Sequence, residues 1–552
     1  MIEAIRIQNL RSLKDTGFID IKPLTILVGV NSSGKSTFLR SFPLFTQSIK
    51  KTLRGVVSWF DDSFVDFGNY STAKSKFAEN SDTIKFSYKI NLNRSDNFRR
   101  RLYYENKYTE IDKINNFEVE LSFKNSNFDN ETYVNSILLR INESLTFCAF
   151  IDKSNKVKFK INDVLVPLQY DYKFTHHNNG LHILPSVIAS SENDSETENI
   201  NHAVISINGV LYPYVPIYIR EIEQLFKEYQ PKFKLNKSNL NKIDTLINKW
   251  SFNKNDYLAT TKEIKINNTI DKKIELWDIG NKEFEKVYSI AFIQKMLSFF
   301  DVIDEEISYY YIGCSYIAPA RAGANRYFRD QGLQVSDIDP YGRNLPEFLK
   351  SIKDRERKSY DDFIKKVLNI KVEAKSTTEG LSLLLSPIDG SKTGFNIADV
   401  GFGYSQILPI VTKLWWWYEN NGGLTNYYRI SVSPTILIEQ PELHLHPAYQ
   451  AKIADAFINS VIKKNAESTE HDYRQRERMN LIIETHSQTI INRIGRRIYE
   501  GYLSPDDVNV VIFEKDYDKP CSVVKQTNFD KKGKIANWPR GFFDPLDEPL
   551  FN

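Results

Sequence analysis

Cysteine is scarce: the 552-residue chain has three, Cys148, Cys314 and Cys521. They are too few and too scattered for a disulfide framework or a zinc site, and fit a reducing cytoplasm. Long apolar runs are missing too. No segment approaches the roughly 20 apolar residues that cross a bilayer, and the aromatic cluster at 415–418 stops at Glu419 and Asn420. The first ten residues alternate polar and apolar without a signal-peptide core, so they read as a strand of the mature protein. Neither sign of charge is in excess, since 73 Lys and Arg face 70 Asp and Glu for a net +3. That balance excludes a histone-like polycation but not a local basic groove, because nucleic-acid affinity follows clustering rather than totals. No solenoid repeat or sustained heptad is present.

What is present is ample apolar material, 41% of the chain, arranged in two styles. Residues 24–28 are nearly continuous apolar, as in a strand buried on both faces. A glycine-rich turn follows, then a helical pattern over 36–50 and an alternating strand over 83–92. The middle of the chain reads differently: alternating stretches at 117–123 and 157–161 suggest hairpins between Asn-, Ser- and Asp-rich loops. Helical spacing follows at 217–229, 238–249 and 283–300. The last part returns to alternating strands and helices, with strands at 309–317, 381–385, 435–438 and 481–483 and helices at 345–368, 403–418 and 448–464. Such alternation implies a largely parallel sheet covered by helices.

Gly29-Val30-Asn31-Ser32-Ser33-Gly34-Lys35-Ser36 fits a phosphate-binding loop, followed by Thr37 in the helix. Glycines let the backbone curl so that N–H groups point inward, and the helix presents its positive end to phosphates. Lys35 is expected to reach the β- and γ-phosphates of a nucleotide and Ser36 to place its hydroxyl on Mg²⁺. A carboxylate must come from elsewhere. Thr435-Ile436-Leu437-Ile438-Glu439-Gln440-Pro441-Glu442 is an apolar strand ending in acid, at the carboxyl edge of a sheet. Leu481-Ile482-Ile483-Glu484-Thr485-His486-Ser487 is a second apolar strand with a polar tip, where His486 is placed to meet a γ-phosphate.

These segments, some four hundred residues apart, resemble the split ATPase heads of the ABC class, in the branch of structural-maintenance, recombination and overcoming-lysogenization-defect (OLD) proteins. The resemblance implies an α/β fold: a split P-loop ABC-type head, mostly parallel sheet with helices and antiparallel N-terminal strands, interrupted by a mixed β/helical insertion. It divides the chain into 1–92, a 93–308 insertion, and 309–552. It places Glu439 as the Mg²⁺ carboxylate and His486 as the switch histidine. Asp399-Val400-Gly401-Phe402-Gly403-Tyr404-Ser405-Gln406 resembles the family signature, in which Ser405 would grip the γ-phosphate of the opposite subunit and so require a dimer. ATP and Mg²⁺ are the implied cofactors. His444 and His446 beside Glu442 invite a metal reading, but the His-x-His-Pro sequence recurs after the metal carboxylate in this branch, and a loop across the dimer interface is the reading adopted.

The sequence departs from transporter-type heads at one point. The residue after the metal carboxylate, there a Glu that polarises water, is Gln440. An amide orients water but cannot take its proton, so hydrolysis is expected to be slow, with Glu442 as a substitute base. Too few residues follow His486 for an OLD-type nuclease domain, and Asp516-Tyr517-Asp518 reads as a hairpin turn. The tail Asn537-Trp538-Pro539-Arg540-Gly541-Phe542-Phe543-Asp544, with Pro319-Ala320-Arg321 and Gly342-Arg343-Asn344, resembles the ATPase subunits of Septu-type and retron-associated anti-phage systems. That subgroup implies a separate HNH-type nuclease partner and, in the retron version, a reverse transcriptase with its DNA–RNA product. Two basic-aromatic runs, Arg94, Arg99, Arg100 and Arg101 with Tyr103, Tyr104, Lys107 and Tyr108, and Arg321, Arg326 and Arg329 with Tyr327 and Phe328, are equally readable as solvated faces, partner surfaces or nucleic-acid contacts. A DNA repair or recombination ATPase and an ATP-stabilised scaffold are the competing functions.

Overall fold

A computed structural model of the chain describes residues 1–79, 81–92, 114–126, 131–175, 182–189, 205–207, 210–212, 217–332, 334–388, 394–420, 434–466, 479–515, 521–536 and 538. The fold divides into two compact units. One comprises Ile2–Lys50, Val57–Phe86 and Tyr309–Asn552, the other Met1, Lys51–Val56 and Ser87–Ser308. Among the described residues no helix is long and apolar enough to cross a membrane.

The first unit is organised by a six-stranded sheet in the order Cys314–Ile317, Thr435–Glu439, Asn480–Glu484, Leu24–Gly29, Val508–Lys515, Ser522–Thr527. Neighbours are parallel except the last pair, an antiparallel hairpin. Leu24–Gly29, Thr435–Glu439 and Asn480–Glu484 are buried at every position, which is why they carry consecutive apolar residues at Ile26–Val28, Ile436–Ile438 and Leu481–Ile483 rather than an alternation. Successive side chains still point to opposite faces. Leu24, Ile26, Val28, Ile436, Ile438, Leu481 and Ile483 join residues of the helices Phe402–Asn420, Pro447–Ala466 and Gln488–Tyr499 in one core. On the other side the helix Lys35–Ile49 lays Phe38 against Phe513, and Phe42 and Phe45 against Tyr311. The N-terminal strand Ile2–Leu10 pairs antiparallel with Leu13–Asp15 and Ile19–Asp20. Ile370–Thr377, Gly380–Pro387 and Phe395–Asn396 form a small antiparallel sheet.

Two elements differ from expectation. The strand expected at 309–317 is confined to Cys314–Ile317, and the preceding tyrosines end the helix Lys282–Ile312. Tyr309-Tyr310-Tyr311 has strand propensity, but packing of Tyr310 and Tyr311 against Phe42 overrides it. The helix expected over 345–368 is two, Leu345–Ser351 and Asp354–Leu368. The Ser351 hydroxyl bonds back to the Glu347 carbonyl and receives the Val335 N–H, tying the end of the first helix to a neighbouring loop.

The second unit contains an antiparallel meander of Asn116–Asn125, Thr132–Asn142, Leu145–Ile151, Val157–Ile161 and Val164–Leu165. Its abundant asparagines have a structural use. Asn236, Asn253 and Asn267 cap the helices Lys237–Asn248, Lys254–Glu263 and Asn268–Glu275, each accepting a first-turn N–H. The Arg94–Tyr108 residues named above, the Asp516-Tyr517-Asp518 turn and, apart from Trp538, the 537–544 tail lie outside the described residues.

Candidate functional site

The loop between Leu24–Gly29 and Lys35–Ile49 is shaped by its glycines. A Cβ on Gly29, at φ +153°, would sit 2.2 Å from the Phe513 carbonyl oxygen, so no larger residue fits there without moving the neighbouring strand. Gly34 is the helix N-cap at φ 98° and offers no side chain to cap the first turn. The leading N–H groups of the helix, which by geometry lack intrahelical partners, are therefore left without a side-chain cap and can serve as anion donors. Lys35 donates to the Gly29 carbonyl at 3.0 Å and the Val30 carbonyl at 2.8 Å, curling over the loop. Burial lowers its pKa, opposed by the nearby Glu484 and Glu442 carboxylates.

A cleft of about 540 Å³ opens above this loop, lined by Asn31, Ser32, Ser33, Gly34, Lys35, Ser36 and Thr37, by Gln440, Glu484 and His486, and by Arg11 and Ser12. Sequence reasoning gave a site role to all of these except Arg11, Ser12 and Glu484. The Ser36 hydroxyl donates to Glu484 Oε1 at 2.8 Å, and Lys35 Nζ lies 4.0 Å from the same oxygen. Burial, then the charge of Glu439, pushes the Glu484 carboxyl up to about 7. Burial, then Lys35, lowers the His486 pKa and favours the neutral ring.

Glu439 is the residue expected to serve Mg²⁺ together with Ser36. It is 2% exposed, outside the cleft lining, and held by Arg40 Nε and Nη2 at 2.7 and 2.8 Å and by the Tyr316 hydroxyl at 2.8 Å. The hydrogen bonds to Glu439 hold the Arg40 guanidinium well above its ordinary pKa. Glu442 is also engaged, accepting the Thr485 hydroxyl at 2.8 Å and the His486 N–H at 2.7 Å, so it clasps the turn after the Asn480–Glu484 strand, and it is not among the cleft-lining residues. Burial raises its pKa against those hydrogen bonds. Gln440 does face the cleft. It stands at φ 42° and its N–H donates to the Glu484 carbonyl at 2.8 Å, locking the two strand ends together.

Ser405 lies within the first turn of Phe402–Asn420, not at its cap, and donates to the Phe402 carbonyl at 2.7 Å. It does not line the Lys35 cleft of its own chain. His444 packs edge-on against Phe402, and His446 Nδ1 accepts the Ala448 N–H. Among the described residues no cluster of three His, Cys, Asp or Glu has the form of a metal site. The second basic run is not one surface: Arg321 is 5% exposed and donates to the Glu439 carbonyl at 2.8 Å, whereas the exposed Arg326 pairs with Asp399. Burial lowers the Arg321 pKa to about 10.

The residues fit a nucleotide triphosphate and a hard divalent cation. Ser33 Oγ and Glu484 Oε2, both on cleft-lining residues, are buried without a hydrogen-bond partner in the protein. A buried polar atom in that state costs about 1–3 kcal/mol and is stabilised by a ligand able to meet it.

A family model described as "AAA ATPase domain" matches residues 1–491, and a second, described as "Protein of unknown function (DUF3696)", matches residues 503–551. A search of curated proteins found no match. Among solved structures, an Smc head bound to the C-winged helix domain of ScpA is similar at TM-score 0.32 and 10% identity, over 96% of this chain and 98% of that one. An Smc head with an extended coiled coil, bound to the C-terminal domain of ScpA and derived from Pyrococcus furiosus, gives 0.31 and 10% over 96% of each chain. An SMC head domain from Thermotoga maritima gives 0.30 and 7% over 95% of this chain and 98% of that one.

Proposed function

The chain belongs to the AAA ATPase domain family, and from that premise we propose that it is a slow, ATP-operated clamp: two heads close on Mg²⁺-ATP, and closure regulates a nuclease supplied by another chain in anti-phage defence. The observation that carries the nucleotide part is the uncapped helix start at Gly34 with Lys35 folded over the loop beneath it. Backbone N–H groups of Asn31–Thr37 cradle the phosphates. Lys35 exchanges its two carbonyl partners for β- and γ-phosphate oxygens. A magnesium ion at Ser36 supplies charge neutralisation to the β- and γ-oxygens when bound. His486, neutral and held by Glu442 through its backbone, hydrogen-bonds the γ-phosphate.

Gln440 orients the attacking water from the end of the Thr435–Glu439 strand. It leaves that water without a proton acceptor of its own, which keeps turnover low and lengthens the closed state. Ser405, which does not line its own cleft, is assigned to the cleft of a second copy. The regulated HNH-type nuclease, and in a retron setting a reverse transcriptase with its nucleic acid, rest on the resemblance of the C-terminal segments to defence ATPases.

Lys35→Ala should abolish binding of a fluorescent ATP analogue while leaving the circular dichroism spectrum unchanged; retained affinity would remove the nucleotide site. Sedimentation with and without a non-hydrolysable analogue tests the clamp, and an unchanged oligomeric state would leave only a scaffold. Salt-sensitive, ATP-dependent affinity of the purified chain for DNA would favour a repair ATPase, whereas an HNH-type nuclease co-purifying with the tagged chain supports the defence reading.

A further inference from the structure

Two glutamates end adjacent parallel strands in direct register, Glu439 opposite Glu484. Their surroundings are unlike. Glu439 has both oxygens satisfied: Oε1 accepts from Arg40 and Tyr316, and Oε2 accepts from Arg40. Its charge is already neutralised by a bidentate guanidinium, among the strong hydrogen-bonded pairings open to a carboxylate. To bind a cation it would have to abandon that pair. Glu484 is equally buried, at 2% exposure. It has no guanidinium, lines the cleft, and keeps Oε2 without any partner. Its strand is the immediate neighbour of Leu24–Gly29, whereas that of Glu439 is one place further out.

The distance between Ser36 Oγ and Glu484 Oε1 is informative. Mg²⁺ binds oxygen at about 2.0–2.1 Å in a near-octahedral shell, which sets adjacent ligand oxygens about 2.9 Å apart. The Ser36–Glu484 separation is 2.8 Å. That separation is the ordinary length of a hydroxyl–carboxylate hydrogen bond and also matches the edge of such a shell, so the two oxygens can serve one cation without moving apart, with the second carboxylate oxygen open. We propose that Glu484, not Glu439, is the carboxylate that ligates the divalent cation together with Ser36, and that Glu439 is a positioning residue acting through Arg40 and Tyr316. This rests on the nucleotide reading above and names the metal donor of that same site.

Mn²⁺ binding to the full chain in the presence of a non-hydrolysable ATP analogue, followed by the loss of the free-ion electron paramagnetic resonance signal, tests the assignment without turnover. Glu484→Gln is expected to weaken Mn²⁺ at least tenfold and Ser36→Ala comparably, whereas Glu439→Gln changes it less than threefold. Glu484→Asp, which keeps the charge on a shorter arm, should fall between wild type and Glu484→Gln, and gives a second measure if the amide variant folds poorly. A larger loss in Glu439→Gln than in Glu484→Gln, or unchanged Mn²⁺ affinity in Glu484→Gln, overturns the proposal. Binding of the analogue in EDTA separates the two levels. Variants that retain it have an intact nucleotide cleft, so that only the metal assignment is at stake; wild-type protein that fails to bind it overturns the nucleotide reading and this inference with it.

Discussion

Removing Arg40 should destabilise the nucleotide-binding unit through a charge left behind, and the size follows from the burial of its partner. Glu439 is 2% exposed at the side chain and Arg40 33%. Breaking a fully buried pair costs about 3–5 kcal/mol, mostly the stranded charge. Here Tyr316 would still donate to Glu439 at 2.8 Å, so Arg40→Met is expected at the lower end, about 3 kcal/mol. Glu439→Gln leaves the cation behind instead, and Arg40 can turn to water, which reduces the loss to about 1.5 kcal/mol. With both changes neither charge is stranded, so the double variant should lose only about 1.5 kcal/mol rather than the sum of about 4.5 kcal/mol, a coupling of about 3 kcal/mol. Urea unfolding followed by tryptophan fluorescence reads this, because Trp415 and Trp417 are buried in the same core as Ile436 and Ile438. The measurement belongs to nucleotide-free protein and to the transition those tryptophans report, since a chain of two units need not unfold in one step. Additivity of the two single changes within about 0.5 kcal/mol would refute the reasoning, because independent sites add to that accuracy.

Two further outcomes are expected. Gln440→Glu should raise the rate of phosphate release by about tenfold or more, since a positioned base contributes about 10²–10⁴-fold and the residue's backbone hydrogen bond to Glu484 does not involve the side chain; no acceleration, or a fast parent enzyme, would count against the slow-clamp reading. In the other unit Asp304 accepts the N–H groups of Ile183 and Leu184 and faces His182 Nδ1. The hydrogen bond to Asp304 raises the His182 pKa, opposed by burial and aided by Asp304, Asp301 and Glu305. A raised folded-state pKa means that the stabilisation is fully present below the unfolded histidine value of about 6.5 and is lost as pH rises through the higher folded value. Hydrogen-exchange protection of the Ile183 and Leu184 amides, corrected for intrinsic rate, should therefore fall as pH rises above about 6.5 in wild type and stay level in His182→Phe; an equal fall in both would refute it.

The sheet was legible where the physics is local. Leu24–Gly29, Thr435–Glu439 and Asn480–Glu484 carry apolar cores of three residues (Ile26–Val28, Ile436–Ile438 and Leu481–Ile483) because both of their faces are covered, and that pattern survives in a single sequence. The Lys282–Ile312 helix was legible only in part. Its last turn is three tyrosines, which alone favour a strand, and it is helical because Phe42 and Phe45 of the phosphate-loop helix offer rings to pack on. Those phenylalanines are more than two hundred residues away in sequence, so no window around Tyr309 contains the deciding contact. The break between Leu345–Ser351 and Asp354–Leu368 has the same origin, since the Ser351 hydroxyl meets Val335 across a loop.

The two carboxylates carry this argument to the site. Ile436-Leu437-Ile438-Glu439 and Leu481-Ile482-Ile483-Glu484 are the same pattern, three apolar residues and an acid at the carboxyl edge of a strand, and nothing local distinguishes them. The difference lies in strand order, which places Glu484 beside the phosphate-loop strand and Glu439 one place beyond it. It also lies in Arg40, one helical turn past Ser36 and so on its face of the helix, whose guanidinium occupies the outer carboxylate. An arginine four residues after the phosphate-loop serine was the available signal: a fixed positive charge there predicts that one of the two acids is neutralised and leaves the other for the cation. Moving that charge should then move the metal preference, so Arg40→Met, by freeing Glu439, is expected to narrow the gap in Mn²⁺ affinity between Glu484→Gln and the unsubstituted glutamate; a gap unchanged by Arg40→Met would mean that strand order alone, and not the guanidinium, selects the ligand.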